Sequence, residues 1–417
     1  MPGGGGLLQL VAMGKQDIFL TGNPQITWFK MVYRRYTNFA IESQPMTFDG
    51  DPDFGKRLSC LVPRRGDLLG PIILEVTLPA LKGTDGSPAS YCNSIGHALI
   101  QEISIEVGEQ EIDRQNGEWM EIWSSLTTTE SQKAGFFNMI GKSSSVTPDI
   151  YGPVKLYIPL RFWFNKNPGL FLPLIALQYH PIRINITLAP LQKLFYSQAL
   201  VANCDTTQVQ QAKIVSMQMW GDYVNLDVEE RRRFVSNTHE YLIEQVQYTP
   251  QVSITANATS VNVPIEFNHP IREFVWVFQR SIMAQYHEWF NYSSLATHET
   301  GNPPTDLLAS ATFQLDGQDR FEVRDAGYFR LVQPWQHHTV IPFDTFIYSY
   351  SFALRPEDLQ PSGSMNASRI DSIHLQATLV PDTQLSPPRG NAHVTVYATN
   401  HNVFRVVNGF GGLVFTV

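Results

Sequence analysis

The sequence predicts an all-β chain folded as two similar sandwiches in tandem. Short stretches alternate apolar and polar residues: Ile103, Ile105 and Val107 fall on one side, Ser104 and Glu106 on the other, and Val394, Val396 and Ala398 repeat the scheme. A period of two marks strands with one buried face. Turn chemistry punctuates the stretches at Asp49-Gly50, Pro63, Gly66-Asp67, Asp85-Gly86, Asn167-Pro168-Gly169, Asp316-Gly317 and Asn408-Gly409. Four segments also recur in the same order in each half. Phe39–Glu42 resembles Tyr241–Glu244, Pro71–Leu78 resembles Pro270–Val277, Ile105–Gly108 with Ile112 resembles Gln314–Gly317 with Phe321, and Ile184–Leu188 resembles Leu375–Leu379. Strands resemble one another by chance, so the shared order carries the inference of one fold used twice. The chain, at 417 residues, is too long for one ordinary core, which agrees. An aromatic content of 12% favours β-rich packing and interfaces over long helices.

Taken in order, residues 1–25 form an N-terminal arm. Gly3–Gly6 precede the apolar Leu7, Leu8, Leu10, Val11 and Ala12. Glycine adds backbone freedom and the apolar patch needs a partner, either the arm's own domain or a neighbouring protein. Ile18–Leu20 then run into a turn at Gly22–Pro24, a strand-like stretch Ile26–Val32 and a basic aromatic run Tyr33–Tyr36. The first sandwich occupies 26–224. Within it, Asn116–Gly141 carries Trp119, Met120, Ile122, Trp123 and Leu126 at helical spacing, a helical insertion ending near Gly141. Residues 225–238 form a short helical linker, with Glu229 four residues before Arg233. The second sandwich fills 239–417. Many short strands with long loops point to Greek-key sandwiches; periodicity does not choose among their types.

The segment Gln16–Ser43 resembles the opening of the major capsid proteins of large double-stranded DNA viruses of eukaryotes, the algal-virus members above all. Further family-like segments follow in order: Pro168–His180, His239–Gln245, Phe267–Pro270, Gly317–Phe321, Gln360–Gly363, Asn400–Val403 and Gly409–Leu413. The resemblance spans almost the whole chain. It implies two tandem eight-stranded jelly-roll sandwiches (a double jelly roll) and a structural virion protein made in the host cytoplasm. It also implies a homotrimer of pseudo-hexagonal outline that tiles an icosahedral shell beside neighbouring capsomers and minor capsid proteins. The arm would face inward, toward proteins associated with an inner membrane. The rival readings are a minor capsid or spike component, and a carbohydrate-binding double sandwich, which would need a concave polar pocket or a metal.

Composition fits a shell that does not touch the genome. With 30 Lys and Arg against 38 Asp and Glu the net charge is -8, whereas coating nucleic acid needs clustered positive charge. The basic clusters Tyr33–Tyr36, Arg64-Arg65 and Arg231–Arg233 therefore read as ion-paired or solvated surface rather than nucleic-acid contacts. Cys60, Cys92 and Cys204 lack metal spacing and read as free thiols of a reducing compartment. No apolar run is long enough to span a bilayer. The start, Met1–Gly6, lacks the pattern of a secretory signal, and Pro2 removes the myristoylation pattern.

No enzyme signature, cofactor fingerprint or metal set emerges. His337-His338 would point to opposite faces of a strand and read as two surface histidines. His287-Glu288 and His298-Glu299 lack the second histidine a zinc protease needs. Four N-glycosylation sequons begin at Asn185, Asn257, Asn291 and Asn366. Asn185 lies in a strand and is expected to be unmodified; Asn257, Asn291 and Asn366 are the candidate sites. The outer face is expected to be built from the loops Pro250–Ser260, Gln285–Asp306 and Pro381–Asn391.

Overall fold

The computed structural model describes residues 4–25, 29–83, 86, 88–143, 150–196, 211–297 and 299–416. Two compact units are present, Met1–Phe39 and Ala40–Val417. The first contains helices α1 (Gly4–Val11) and α2 (Lys15–Thr21), neither with a buried residue. Asp17 accepts a hydrogen bond from the Gly14 backbone N–H at 2.8 Å, opening α2. The strand expected at Ile26–Val32 does not form in its described part: Phe29–Val32 are irregular.

The second unit is a double jelly roll. Its first half has β1 (Phe39–Met46), β2 (Arg57–Leu61), β3 (Leu68–Leu78), β4 (Ile100–Val107), β5 (Gln110–Gln115), β6 (Val154–Pro159), β7 (Ile182–Leu188) and β8 (Ser216–Leu226). These make two four-stranded sheets, ordered β1-β8-β3-β6 and β2-β7-β4-β5. The second half has β9 (His239–Tyr248), β10 (Ser260–Ile265), β11 (Pro270–Arg280), β12 (Leu308–Leu315), β13 (Gln318–Asp319), β14 (Tyr348–Ser351), β15 (Ile373–Leu379) and β16 (Ala392–Val407). Its sheets run β9-β16-β11-β14 and β10-β15-β12-β13, the same order strand for strand. All four sequence pairs fall on equivalent elements: β1 with β9, β3 with β11, the β4–β5 turn with the β12–β13 turn, and β7 with β15. A register shift between Ile271 and Glu273 offsets β11 by one residue, so Val275 rather than Phe274 is the twin of Glu75.

Turn residues set the hairpins. Gly108-Glu109, Asp316-Gly317 and Asn408-Gly409 all have positive φ at both positions, the pattern of a type I′ turn, which matches strand twist. The last of these turns β16 into a short C-terminal strand, Phe410–Leu413.

Helices lie between strands. Ile95–Leu99 is α3. The expected insertion is two helices, α4 (Gly117–Thr127) and α5 (Glu130–Ile140). Asn116 caps α4 by accepting from the Trp119 N–H at 2.7 Å, and α5 ends at Gly141 with φ 66, the left-handed stop that glycine provides. Trp163–Lys166 is α6. In the linker α7 (Val228–Ser236) is capped by Asp227, whose carboxylate accepts from the Val228 N–H. Glu229 pairs there with Arg232 at 3.5 Å rather than with Arg233, one step closer on the same helix face. The last helix, α8 (Gln333–His337), follows a π turn at Tyr328–Val332.

Each sandwich has its own core. Leu74, Val76, Ile105, Ile158 and Ile186 anchor the first, and Phe274, Trp276, Phe313, Leu375 and Val396 the second. The second core is the more aromatic: Phe274 and Phe313 stack at 5.0 Å, and Trp276 meets Phe313 edge-on at 5.3 Å.

Candidate functional site

The junction of the two sandwiches, where buried aromatic rings and buried charges from both halves meet, is the candidate site. Here α4 lays Trp119, Ile122, Trp123 and Leu126 on the outer face of the β9-β16-β11 sheet, against Val275, Val277 and Tyr397. The Trp119 and Tyr397 rings stack at 5.4 Å. Tyr397 donates its hydroxyl proton to Glu118 at 2.6 Å and accepts from the Asn116 amide at 3.2 Å, while Tyr292 donates to Glu118 at 3.3 Å. Burial pushes the Glu118 carboxyl up, which those donors oppose. This docking explains why Thr395, Tyr397 and Thr399 are buried beside Val394, Val396 and Ala398. The alternation in the sequence marks one covered face; the neighbouring sandwich covers the other.

Beside the helix, strand edges meet. The Val246 N–H donates to Asp113 Oδ1 at 3.1 Å, and the Gln245 side chain donates to the Ile112 carbonyl. Burial raises the Asp113 carboxyl to about 6 against the pull of its donors. Farther along, Glu244 bridges Lys166 at 2.5 Å and Arg272 at 2.6 Å, and the Arg272 side chain is only 1% exposed. Burial pushes Glu244 up, but Lys166 and Arg272 prevail and hold it at about 2. Burial, with Arg272 close by, lowers His401 to about 4. Within the first sandwich, behind α4, Glu121 binds His97 at 2.5 Å and Lys142 at 2.6 Å. Burial opposes its charge; Lys142 and His97 nonetheless hold it at about 2.

The histidine pair departs from expectation. His337-His338 ends α8 rather than sitting in a strand, and the His338 side chain is fully buried between Glu273 at 3.0 Å and Glu357 at 2.9 Å. Its Nδ1 hydrogen-bonds Glu357, whereas the approach to Glu273 is a close ion pair outside hydrogen-bond geometry. Burial disfavours the imidazolium, but the two carboxylates raise it to about 9. The Trp123 and His338 rings meet edge-on with centroids 6.5 Å apart, so this clamp adjoins the junction. A strand reading missed it because neither carboxylate is near in sequence. His337 bonds the Leu354 carbonyl at 3.0 Å.

Several family-like segments meet here. Asn400–Val403 pairs with Leu242–Gln245, placing His401 opposite Glu244. Gln247 bridges Asn400 at 2.9 Å and the Asn268 backbone at 2.8 Å. The C-terminal strand crosses to the first sandwich: the Tyr179 N–H donates to the Gly409 carbonyl at 3.0 Å, His180 Nδ1 lies 2.8 Å from the Gly411 carbonyl, and Tyr179 packs on Phe410 at 5.1 Å. A Cβ on Gly411 would fall 2.4 Å from the end of the Leu177 side chain, so a larger residue there would have to displace that methyl group.

The three expected outer loops lie at one end of the second sandwich, where β9–β10, β11–β12 and β15–β16 connect. Arg280 and Arg389 knit them. Arg280 pairs with Glu299 and donates to the Ser294 carbonyl at 2.8 Å and the Arg389 carbonyl at 3.0 Å; Arg389 donates to the Ala258 carbonyl at 2.8 Å. Asn257 is exposed at this end. Asn366, also exposed, lies in the β14–β15 connection at the other end. Asn291 is tied into its own loop: its amide donates to Glu288 at 2.6 Å and to the Leu295 carbonyl at 3.1 Å. Asn185 donates from β7 to Glu106 at 2.7 Å.

The basic clusters in this unit are internally engaged. Arg64 donates to the Leu177 carbonyl at 2.5 Å, Arg65 to the Pro45 carbonyl at 2.9 Å, and Arg231 pairs with Asp67 at 3.1 Å. Cys60 and Cys92 are free and buried, and burial pushes their thiols up to about 11 and about 12; Cys204, like His298, lies outside the described residues. Among the described residues no cluster of His, Cys, Asp or Glu is placed to hold a metal, and no helix is long and apolar enough to cross a membrane.

Two like-ordered jelly rolls locked into one body define a double jelly-roll structural subunit. The family described as "Major capsid protein N-terminus" matches residues 27–227, and "Large eukaryotic DNA virus major capsid protein" matches residues 230–412. The chain is 39% identical to the major capsid protein of Pyramimonas orientalis virus, over 99% of this chain and 100% of the relative. It is 38% identical to that of Paramecium bursaria Chlorella virus 1, over 99% of each. Among solved structures it superposes on the PBCV-1 virus capsid with a TM-score of 0.76 at 32% identity, covering 94% of this chain and all of the other. The chain belongs to the major capsid proteins of large eukaryotic DNA viruses.

Proposed function

We propose that this chain is the major subunit of an icosahedral capsid and associates as a homotrimer of pseudo-hexagonal outline. The observation that carries the reading is the junction itself. Two like sandwiches are fastened by stacked aromatics and buried charge into one body, so three copies present six similar sandwiches around a ring. Closed cyclic association satisfies matching patches on every subunit and limits growth within the block. Weaker contacts between blocks then let lattice errors anneal.

The organisation we infer is an arm at 1–25, a first jelly roll at 26–224, a linker at 225–238 and a second jelly roll at 239–417. The arm contacts proteins associated with an inner membrane; capsomer edges meet neighbouring capsomers and minor capsid proteins. Synthesis is in the host cytoplasm, and the protein's place is the virion shell. The net charge of -8 argues against direct genome contact, and the role is assembly rather than catalysis. Of the sequons, exposed Asn257 in the knit loop end is the favoured sugar acceptor, ahead of Asn366; the bound amide of Asn291 disfavours that site.

Native mass spectrometry of the purified protein, followed by negative-stain microscopy, tests the reading. A trimeric mass and hexagonal arrays are expected. A stable monomer that forms no arrays at high concentration overturns it, and specific binding of free oligosaccharide by that monomer would favour the carbohydrate-binding alternative. Removing Met1–Gly14 is expected to leave the trimer and impair shell assembly; normal particles would refute the role given to the arm.

A further inference from the structure

Where α4 and α5 of the first sandwich face the loops of the second, the chain encloses a cleft of about 650 Å³. That volume falls within the range of small-ligand sites, which favour the joints between domains. α4 and α5 form one wall; the β11–β12 and β13–β14 connections form the other. The walls are tied together: the Val340 N–H donates to the Leu126 carbonyl at 3.1 Å, and the Tyr292 hydroxyl donates to Glu118 at 3.3 Å. The cleft therefore exists only once the sandwiches have docked, and no single stretch of sequence announces it. A charged pair sits at its floor. Glu121 accepts from Lys142 at 2.6 Å and from the Ser94 hydroxyl at 3.1 Å. An ammonium group has three N–H donors. Lys142 gives one to Glu121, lies over the Phe137 ring at 4.7 Å, and lines the cleft with donors to spare.

The lining decides the chemistry of a guest. Four carboxylates, those of Glu121, Glu130, Glu288 and Asp344, stand against the two ammonium groups of Lys133 and Lys142. Burial lowers His287, which keeps it neutral and adds no positive charge. An anionic guest would meet net repulsion. Hydroxyls and amides line much of the remainder, Asn93, Ser125 and Thr128 among them, so a wholly apolar guest would strand buried polar groups. Phe343 adds a bare aromatic ring, 67% exposed, at the rim. We propose that this cleft binds a neutral oligosaccharide. Adjacent hydroxyls of a sugar donate to a carboxylate and accept from an ammonium at the same time, and the Glu121–Lys142 pair offers both partners side by side. Glu121 already accepts from His97, Ser94 and Lys142, which leaves about one of its roughly four acceptor positions for the guest. The C–H face of a pyranose packs on an exposed ring such as Phe343. The site lies within one chain, so it adds recognition to the assembly role and does not depend on the number of copies in a capsomer.

The test is saturation-transfer-difference NMR on the purified full chain. Maltotriose, cellotriose, mannotriose and chitotriose serve as neutral probes and sialyllactose as the acidic comparison. At least one neutral probe is expected to receive saturation, and sialyllactose none. Phe343→Ala, which removes an exposed ring, is expected to weaken that binding about tenfold. Lys142→Gln is expected to weaken it about tenfold or more, the loss typical of a charged hydrogen-bond donor. Tyr179→Ala removes a similarly exposed ring in the β6–β7 connection, outside the cleft, and is expected to bind as wild type. Near-ultraviolet circular dichroism reports folding; should Lys142→Gln disturb it, Phe343→Ala alone decides. Saturation of no neutral probe, equal saturation of sialyllactose, or binding that survives Phe343→Ala unchanged overturns the inference. Native mass measured on the same sample separates the two readings. Trimers that bind no probe overturn the inference and leave the capsomer reading standing, whereas a monomer that binds through Phe343 supports the inference and refutes the capsomer.

Discussion

Replacing Glu244 by Gln tests how the two sandwiches are held. The substitution keeps the shape and one acceptor oxygen but removes the charge between Lys166 and Arg272. A carboxyl held at about 2 rather than 4.5 contributes about 3 kcal/mol to the folded state at neutral pH. Breaking a buried pair and leaving Arg272 uncompensated costs about 3–5 kcal/mol, so the two arguments agree. Melting entropy of about 2.1 cal/mol/K per residue over roughly 380 cooperative residues gives about 0.8 kcal/mol/K. Differential scanning calorimetry at pH 7 should therefore show the melting temperature of Glu244→Gln lower by roughly 4–6 °C. Since the folded-state value is depressed, this contribution is complete above about pH 4.5 and fades as pH falls toward 2. The gap between variant and wild type must close over that window. Adding Arg272→Met to Glu244→Gln should recover part of the loss, because an apolar side chain does not need the missing carboxylate. A shift under about 1 °C at pH 7, or a gap that does not depend on pH, would refute the assignment of Glu244 as the charged keystone.

His338→Gln should destabilise the protein in the opposite pH direction. The His338 value is raised to about 9, so its contribution of about 3 kcal/mol is complete below about pH 6.5 and is lost as pH rises through 9. Melting curves of variant and wild type should converge above that point. Gly117→Ala should destabilise by about 2–3 kcal/mol, because its Cβ would fall 2.0 Å from the His97 carbonyl oxygen and 2.5 Å from that of Ile100; urea titration reads the loss, and an unchanged midpoint would contradict the packing of α4. Trp119→Ala should cost about 3–5 kcal/mol and loosen the junction, seen as faster protease cleavage in the linker around α7.

The strands were legible because local chemistry writes them. Period-two alternation, Asp316-Gly317 and Asn408-Gly409 each act within a few residues, and so do the Asn116 cap and the Gly141 stop. What long-range packing decides was not legible. Ser104 alternates away from Ile103 and Ile105 yet is buried, and the outward residues of β16 are buried because another sandwich lies on them. His338 reads as a surface residue until Glu273 and Glu357 converge on it from 65 and 19 positions away. Glu244 sat inside a family-like segment, but nothing nearby announced Lys166 or Arg272 as its partners. The charged keystone is a property of the assembled pair of sandwiches, and one-dimensional spacing carries no signal for it.

The outer faces of the two like-ordered sheets, β1-β8-β3-β6 and β9-β16-β11-β14, differ in what covers them. Where the second sandwich has Val275 and Tyr397, the first has Glu75 and Gln218. The inner seam closes during folding, so an apolar surface there is hidden as soon as the chain is native. The equivalent face of the first sandwich stays open in the chain, and a large bare apolar sheet there would promote indiscriminate association. A face of Glu75, Lys155, Gln218 and Tyr157 is compatible with water, with Lys155 paired to Glu75 at 2.8 Å. Obligate interfaces are more apolar than those formed between independently folded partners. The same fold, used twice, thus meets two different constraints at the outward residues of β3 and β8, while inward positions such as Leu74, Val76 and Met219 stay apolar and keep the core, as Phe274, Trp276 and Val396 do in the second sandwich.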